Sequence, residues 1–136
     1  MTTYHVGRLI DHVHLRVTDL EASKRFYRAV LEAIGREVTG ESERHLNADE
    51  LWIDAADKSG PSKVHLAFQA ADEAAVQRFH AAGLAAGGRD NGAPGPRDYH
   101  PGYYAAFLLD PDGNNIEAVI HAPSVRRSAA SVELSV

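Results

Sequence analysis

Displacing the chain by 53 positions lays Asp19 on Asp72, Ala22 on Ala75, Arg25 on Arg78, Phe26 on Phe79, Leu31 on Leu84 and Gly35 on Gly88. Self-similarity at a fixed period marks two copies of one supersecondary unit, and such a unit buries its apolar face only by packing on a neighbour. The same displacement brings His12 onto His65. Helix-packing identities arise between any two amphipathic helices, but a histidine outside the helices has no such origin. The coincidence points to a shared chemical role.

Local patterns fill in the unit. From Ile10 to Val17, Val13, Leu15 and Val17 alternate with His12, His14 and Arg16, the period of a half-buried strand. Thr18 with Glu21 is a capping-box pattern, and Phe26, Tyr27, Val30, Leu31 and Ile34 recur at helical spacing before Gly35, which predicts a helix from about Leu20 to Ile34. Arg36 to Thr39 and Leu51 to Ala55 are short strand candidates, separated by a polar stretch, Gly40 to Glu50, that reads as a loop or weak hairpin. After the break at Ser59-Gly60-Pro61 the pattern restarts. Val64, Leu66 and Phe68 alternate with His65, Ala67 and Gln69, and Asp72 opens an alanine-rich helix ending near Gly87-Gly88. Arg89 to Gly102 is loop by composition, Tyr103 to Leu109 a strand, Asp110-Pro111-Asp112-Gly113 a turn and Asn115 to His121 the closing strand. From Ala122 onward the tail reads as an irregular extension that packs on a neighbouring subunit. One domain of two modules follows, the first about 8–58, the second about 62–122, with 123–136 as extension.

If the two copies pack about a pseudo-twofold axis, His12 and His65 converge. A third donor should come from a later strand facing the same cavity. On the closing strand Ile116, Ala118 and Ile120 form the apolar face, which leaves Glu117, Val119 and His121 on the cavity side. Glu117 is therefore the third candidate ligand. In the first half Asp54 shares a face with Trp52 and is either a fourth ligand or a solvated loop-edge carboxylate. Two imidazoles and a carboxylate suit a divalent Fe, Mn, Ni, Co or Zn ion with positions open for water or substrate. With no cysteine in the chain, thiolate ligands and cysteine nucleophiles are excluded.

His14 and Arg16 share the face of His12, and either contact an anionic substrate or form a solvent-exposed strand face. The stretch Tyr99 to Tyr103 is either a lid or a long surface connection, and His100 or Tyr103 is the candidate proton donor or acceptor. Phe26 and Phe79 belong to the core. A net charge of −5 argues against nucleic acid as partner, and no apolar run reaches the roughly 20 residues of a membrane span. The N-terminus, Met1 to Leu9, lacks the apolar core of a signal peptide, so a cytoplasmic location is expected.

The stretches IDHVHLRVTDLEASKRFYRAVL (10–31), VHLAF (64–68) and DPDGNNIEAVIH (110–121) together resemble the vicinal oxygen chelate superfamily, which groups glyoxalase I, fosfomycin-resistance transferases, extradiol dioxygenases and bleomycin-resistance proteins. The resemblance spans Leu9 to Ile120. It implies an α+β fold of two βαβββ modules forming a half-open, antiparallel-rich β-barrel around a central cavity. It also implies a divalent metal on His12, His65 and Glu117. Glyoxalase I adds a fourth protein ligand, usually glutamate, where this chain offers Asp54. Extradiol dioxygenases carry a tyrosine ten residues before the metal glutamate, and here that position is Phe107, which with Trp52 is a candidate substrate contact. Bleomycin-type binders generally lack the metal residues, whereas this chain keeps all three. The reading is a metal-dependent enzyme that binds a small substrate through two neighbouring oxygens, by lyase or isomerase chemistry. An Fe(II) extradiol-type dioxygenase and a non-catalytic drug or metabolite binder are the alternatives. A homodimer is expected by the same resemblance.

Overall fold

The structure, a computed structural model, describes residues 3–6, 9–121 and 132–135. In chain order the elements are β1 (Thr3–Val6), β2 (Val13–Val17), α1 (Leu20–Ala33), β3 (Gly40–Ser42), β4 (His45–Ala48), β5 (Leu51–Ala55), β6 (His65–Gln69), α2 (Glu73–Ala85), β7 (Arg89–Pro96), β8 (Tyr104–Leu109), β9 (Asn115–Ile120) and β10 (Val132–Ser135). The duplication is visible in the topology: one four-stranded sheet runs β2-β5-β4-β3 and the other β6-β9-β8-β7. Each is a βαβββ unit whose first and last strands pair in parallel, the other neighbours being antiparallel. The two sheets do not close into a barrel within the chain, in keeping with the half-open α+β class.

Both helices begin at the aspartates that the repeat aligns, so Asp19 rather than Thr18 caps the first. The Asp19 carboxylate accepts from the Ala22 backbone N–H at 3.1 Å and Asp72 accepts from Ala75 at 2.8 Å. Each satisfies a donor that has no partner within its helix, a contribution typically ~1 kcal/mol. One face of each sheet is sealed by its helix. Leu15, Val17, Leu46 and Ile53 from the first sheet join Phe26, Tyr27 and Val30 of α1, while Leu108, Ile116 and Ala118 from the second join Val76 and Phe79 of α2. Period-two alternation sends the residues between them to the opposite faces, and those faces carry the candidate site residues.

The helices also pack on each other, which joins the modules through one core. Gly83 makes the approach possible. A Cβ there would lie 2.2 Å from Leu108 Cδ1 and 3.0 Å from Val30 Cγ1, which accounts for a glycine in mid-helix despite a cost of ~1 kcal/mol relative to alanine. Polar clasps add to the joint. Tyr27 donates its buried hydroxyl to Asp110 Oδ2 at 2.5 Å, and the Thr18 backbone N–H donates to the Asp112 carboxylate at 3.1 Å. The turn that precedes Glu117 is thus anchored to the first helix of the other module. Burial and the Asp110 charge hold the Tyr27 hydroxyl well above the usual phenol range.

Three sequence expectations need correction. Arg36 to Thr39 is not a strand. The hairpin lies in the following polar stretch as β3 and β4, where Leu46 and Ala48 alternate with His45 and Asn47. Arg89 to Pro96, expected as loop, is the long strand β7. Its pairing with β8 shifts register around Gly92, and Gly92 adopts φ +152°, so backbone bonds build a bulged strand that has no side-chain alternation to announce it. Within the tail expected to be irregular, Val132–Ser135 is a strand that pairs antiparallel with Thr3–Val6. Residues 122–131 of that tail lie outside the described residues.

Candidate metal centre

The second sheet brings three of the expected residues together. His65 opens the edge strand β6, and Glu117 lies on β9, two residues beyond Asn115, the strand partner of His65. Their side chains meet, His65 Nε2 lying 2.9 Å from Glu117 Oε1. Glu117 Oε2 accepts a short hydrogen bond from the Tyr103 hydroxyl. Although it sits on the face away from the helix, Glu117 is only 2% exposed. A carboxylate withdrawn from water costs several kcal/mol unless partners replace its hydration. His65 and Tyr103 do so here. Burial, and then the hydrogen bond and charge of Glu117, push the Tyr103 hydroxyl up to about 12. Tyr103 therefore stays protonated through the neutral range and serves as a donor.

Around this carboxylate the aromatic residues form a wall. Phe107 lies directly opposite Glu117 across β8 and β9, with its ring 6.2 Å from that of His65, and the Arg97 guanidinium lies 5.3 Å from the Phe107 ring centre. Arg97 is held by the Ala93 and Gly95 carbonyls at 2.7 and 2.9 Å. The segment 97–103 also walls a surface depression with Glu73 and Tyr104. His100 does not reach Glu117. Its Nδ1 faces the Pro101 carbonyl at 2.9 Å, and because a carbonyl only accepts, that nitrogen carries the proton. Nε2 is left to accept from His121 Nδ1 at 3.0 Å. Both imidazoles contact the Tyr103 ring edge-on.

The first sheet presents a second polar constellation on its own helix-free face. His14 Nε2 lies 2.5 Å from Asp54 Oδ1, and Arg16 reaches Asp57 only at 4.0 Å. Trp52, 40% exposed, stacks on His45 with ring centres 4.1 Å apart and planes 4° from parallel. His45 is fixed at both ring nitrogens, by the Ser42 hydroxyl at 2.7 Å and the Asn47 side-chain oxygen at 3.0 Å. His12 precedes β2, its side chain 67% exposed, and its Nδ1 pairs with the adjacent Asp11 at 2.7 Å. Among the described residues, no three histidine, aspartate or glutamate side chains of one chain gather as an ion-binding cluster. His65 and Glu117 meet on the second sheet, His14 and Asp54 on the first, and His12 contacts neither pair by any hydrogen bond or ion pair of the described residues.

His45 and His121 were not singled out from sequence as site residues. His121 shares the alternation of Glu117, a usable signal. His45 lies opposite Asp54 on β4, but that strand lies inside the polar stretch read as loop or weak hairpin.

Comparison with known proteins agrees with this architecture. The model of the glyoxalase/bleomycin resistance protein/dioxygenase superfamily matches residues 9–118. A glyoxalase/bleomycin resistance protein from Albidiferax ferrireducens is 34% identical, with 82% of this chain and 97% of that one covered and a TM-score of 0.69. Two more distant structures share the fold. A glyoxalase/bleomycin resistance protein/dioxygenase family enzyme from Burkholderia phytofirmans is 23% identical over 81% of this chain and 96% of that one, TM-score 0.61. A lactoylglutathione lyase from Agrobacterium tumefaciens is 22% identical over 79% and 90%, TM-score 0.57. No curated protein matches the sequence. With the family model covering most of its length and both βαβββ modules in place, the chain belongs to the glyoxalase/bleomycin resistance protein/dioxygenase superfamily.

Proposed function

We propose that the protein is a metal-dependent enzyme that binds a small oxygenated substrate through two neighbouring oxygens on a divalent ion, by lyase or isomerase chemistry. The observation that carries this reading is the buried Glu117 carboxylate held 2.9 Å from an imidazole nitrogen of His65. Nitrogen and carboxylate oxygen in that arrangement form half of a site fit for Fe, Mn, Ni, Co or Zn. The remaining donors come from the first sheet, where the 53-residue repeat nominates His12 and the helix-free face adds Asp54.

Because each sheet turns its polar face away from its own helix, the reading places the two halves of one centre on two copies of the chain. A twofold-related pair would then form two equivalent centres. An ion bound there would supply a Lewis acid for the substrate's oxygens. The chain's own residues do the rest. Tyr103 donates a hydrogen bond to Glu117 Oε2 and orients that carboxylate, while Phe107 excludes water beside it. On the opposing face Trp52, His14 and Arg16 bind and orient the substrate. His100, fixed against His121, packs edge-on against the Tyr103 ring and so positions that phenol rather than contacting Glu117.

Metal analysis of the purified protein, before and after chelator treatment, tests this reading. About one transition ion per chain should be present or reloadable, and His65→Ala and Glu117→Gln should each abolish it. Full ligand binding by the chelated protein would sink the enzyme reading. It would favour the second one, a binder of a drug or metabolite, which the closed His65, Glu117 and Tyr103 chain supports because each partner is satisfied without an ion. Oxygen consumption dependent on Fe(II) would instead identify an extradiol-type dioxygenase.

A further inference from the structure

His45 lies on the helix-free face of the first sheet, yet it has no nitrogen left for a ligand or a proton transfer. Strand β4 pairs with β5 so that His45 stands opposite Asp54, and Asn47 opposite Trp52. Thr39 orients the Asn47 amide, its hydroxyl oxygen accepting from Nδ2 at 3.4 Å, so Asn47 Oδ1 faces His45 Nε2 at 3.0 Å and that nitrogen carries the proton. Nδ1 then accepts from the Ser42 hydroxyl at 2.7 Å, and the same Ser42 oxygen accepts from the Arg44 backbone N–H at 3.1 Å. Helix α1 anchors the hairpin from behind, where the buried Lys24 ammonium donates to the Ser42 carbonyl at 2.6 Å.

What remains to His45 is the flat face of its ring, and Trp52 lies against it with planes 4° from parallel and ring centres 4.1 Å apart. Among the described residues no other ring packs on Trp52. Its strand neighbours Leu51 and Ile53 enter the core, whereas Trp52 stays outside it and 40% exposed. An exposed indole held by a neutral ring that cannot turn is a preorganised aromatic surface. Such a surface stacks on planar π systems without first having to be ordered. It also attracts cations. Arg16, however, stands on the same face and reaches Asp57 only at 4.0 Å, so its charge repels a cation and suits a ring that carries acidic oxygens.

We propose that His45 and Trp52 form a stacking platform for a planar ring, so that the substrate of this site is an aromatic or conjugated compound bearing the chelating oxygens. His45 is a positioning residue that acts through the indole. The proposal rests on the helix-free faces being the substrate site, and it is independent of which residues hold the ion.

Trp52 is the only tryptophan in the chain, so tryptophan fluorescence reads this platform alone. Benzohydroxamic and acetohydroxamic acids carry the same pair of chelating oxygens and differ by a phenyl against a methyl group. Each is titrated by calorimetry and fluorescence into the full chain, zinc-loaded and chelator-stripped, with circular dichroism as the folding check. Benzohydroxamate should bind at least about fivefold more tightly, the lower end of what aromatic stacking carries, and should change the Trp52 emission. Trp52→Ala removes the stack and should bring the two affinities within about twofold by weakening benzohydroxamate alone, whereas Trp52→Phe should keep a preference. His45→Ala should lose part of that preference, and His45→Phe, which returns a ring beneath the indole, should recover some of it. Equal affinities in the parent overturn the proposal, as does a preference that survives Trp52→Ala or is undiminished in His45→Ala. Emission that responds to dilution of the protein but not to benzohydroxamate puts a second copy on the indole and overturns it as well. If the chain holds no zinc, the metal-centre reading fails separately. The platform then stands on Trp52-dependent binding of benzohydroxamate to the metal-free chain, and falls without it.

Discussion

The two sheets carry the same pairing on different terms. On the second, Tyr103 donates to Glu117, Phe107 lies beside it, and the carboxylate is buried. On the first, Asp54 and His14 stay about one-third exposed, next to a tryptophan whose ring is stacked on one histidine and otherwise open. Duplication thus supplied one geometry twice, and only one copy acquired a cover from its own chain. The second module holds its carboxylate in place by itself. The first lacks such a cover, as expected if another surface completes it.

The largest effect that could break the comparison is in the core. Phe26 and Phe79 are equivalent under the repeat and both fully buried, so replacing either by alanine should cost ~3–5 kcal/mol. Because α1 and α2 share one core, each variant should lower a single calorimetric transition rather than split it. Two separated transitions would show modules that fold independently.

Next in size is the sharing of donors between copies. Asp54→Asn and Glu117→Gln should each bind metal poorly alone. If the copies pair as proposed, mixed refolding makes half of the dimers heterodimers with one intact centre, so about a quarter of the centres should return. No recovery would place all donors of a centre on one chain and remove the proposed division between the sheets.

The smallest effect concerns the cover itself. A phenol whose folded pKa is raised loses its stabilising contribution as pH rises from its unfolded value, near 10, through its folded value, about 12 for Tyr103. Stability should fall across that alkaline window, and Tyr103→Phe should flatten part of the fall while leaving the neutral-pH fold intact. Tyr27, raised in the same direction, should account for much of the remainder. Denaturant titrations at stepped pH read both, and an unchanged slope in Tyr103→Phe would mean that this hydroxyl does not stabilise the cover.

Most of the framework was legible because it rests on periodicity. Apolar spacing located α1 and α2, Asp72 marked the start of the second, and the repeat announced two modules, although Asp19 rather than Thr18 caps the first. Where backbone bonds alone build structure, the signal vanished. Strand β7, Arg89–Pro96, is rich in glycine and proline with a register shift, and offers no alternation to read. Glu117 was legible as a candidate from its turn and its parity, and so was its neighbour His65. Tyr103 could be nominated but not placed, since its bond to Glu117 depends on how the 97–103 segment folds over the sheet.

The parallel pairing of first with last strand also governs how each module can assemble. Val13 finds no partner until Leu51 has been made, and His65 none until Asn115, so neither ladder can grow outward from a local turn. On the ribosome the first unit can complete itself while the second is still being synthesised. Its apolar helix surface, which later meets α2, is then displayed to the cell until that helix arrives. The interval in which this protein is most vulnerable to aggregation is therefore written into its strand order.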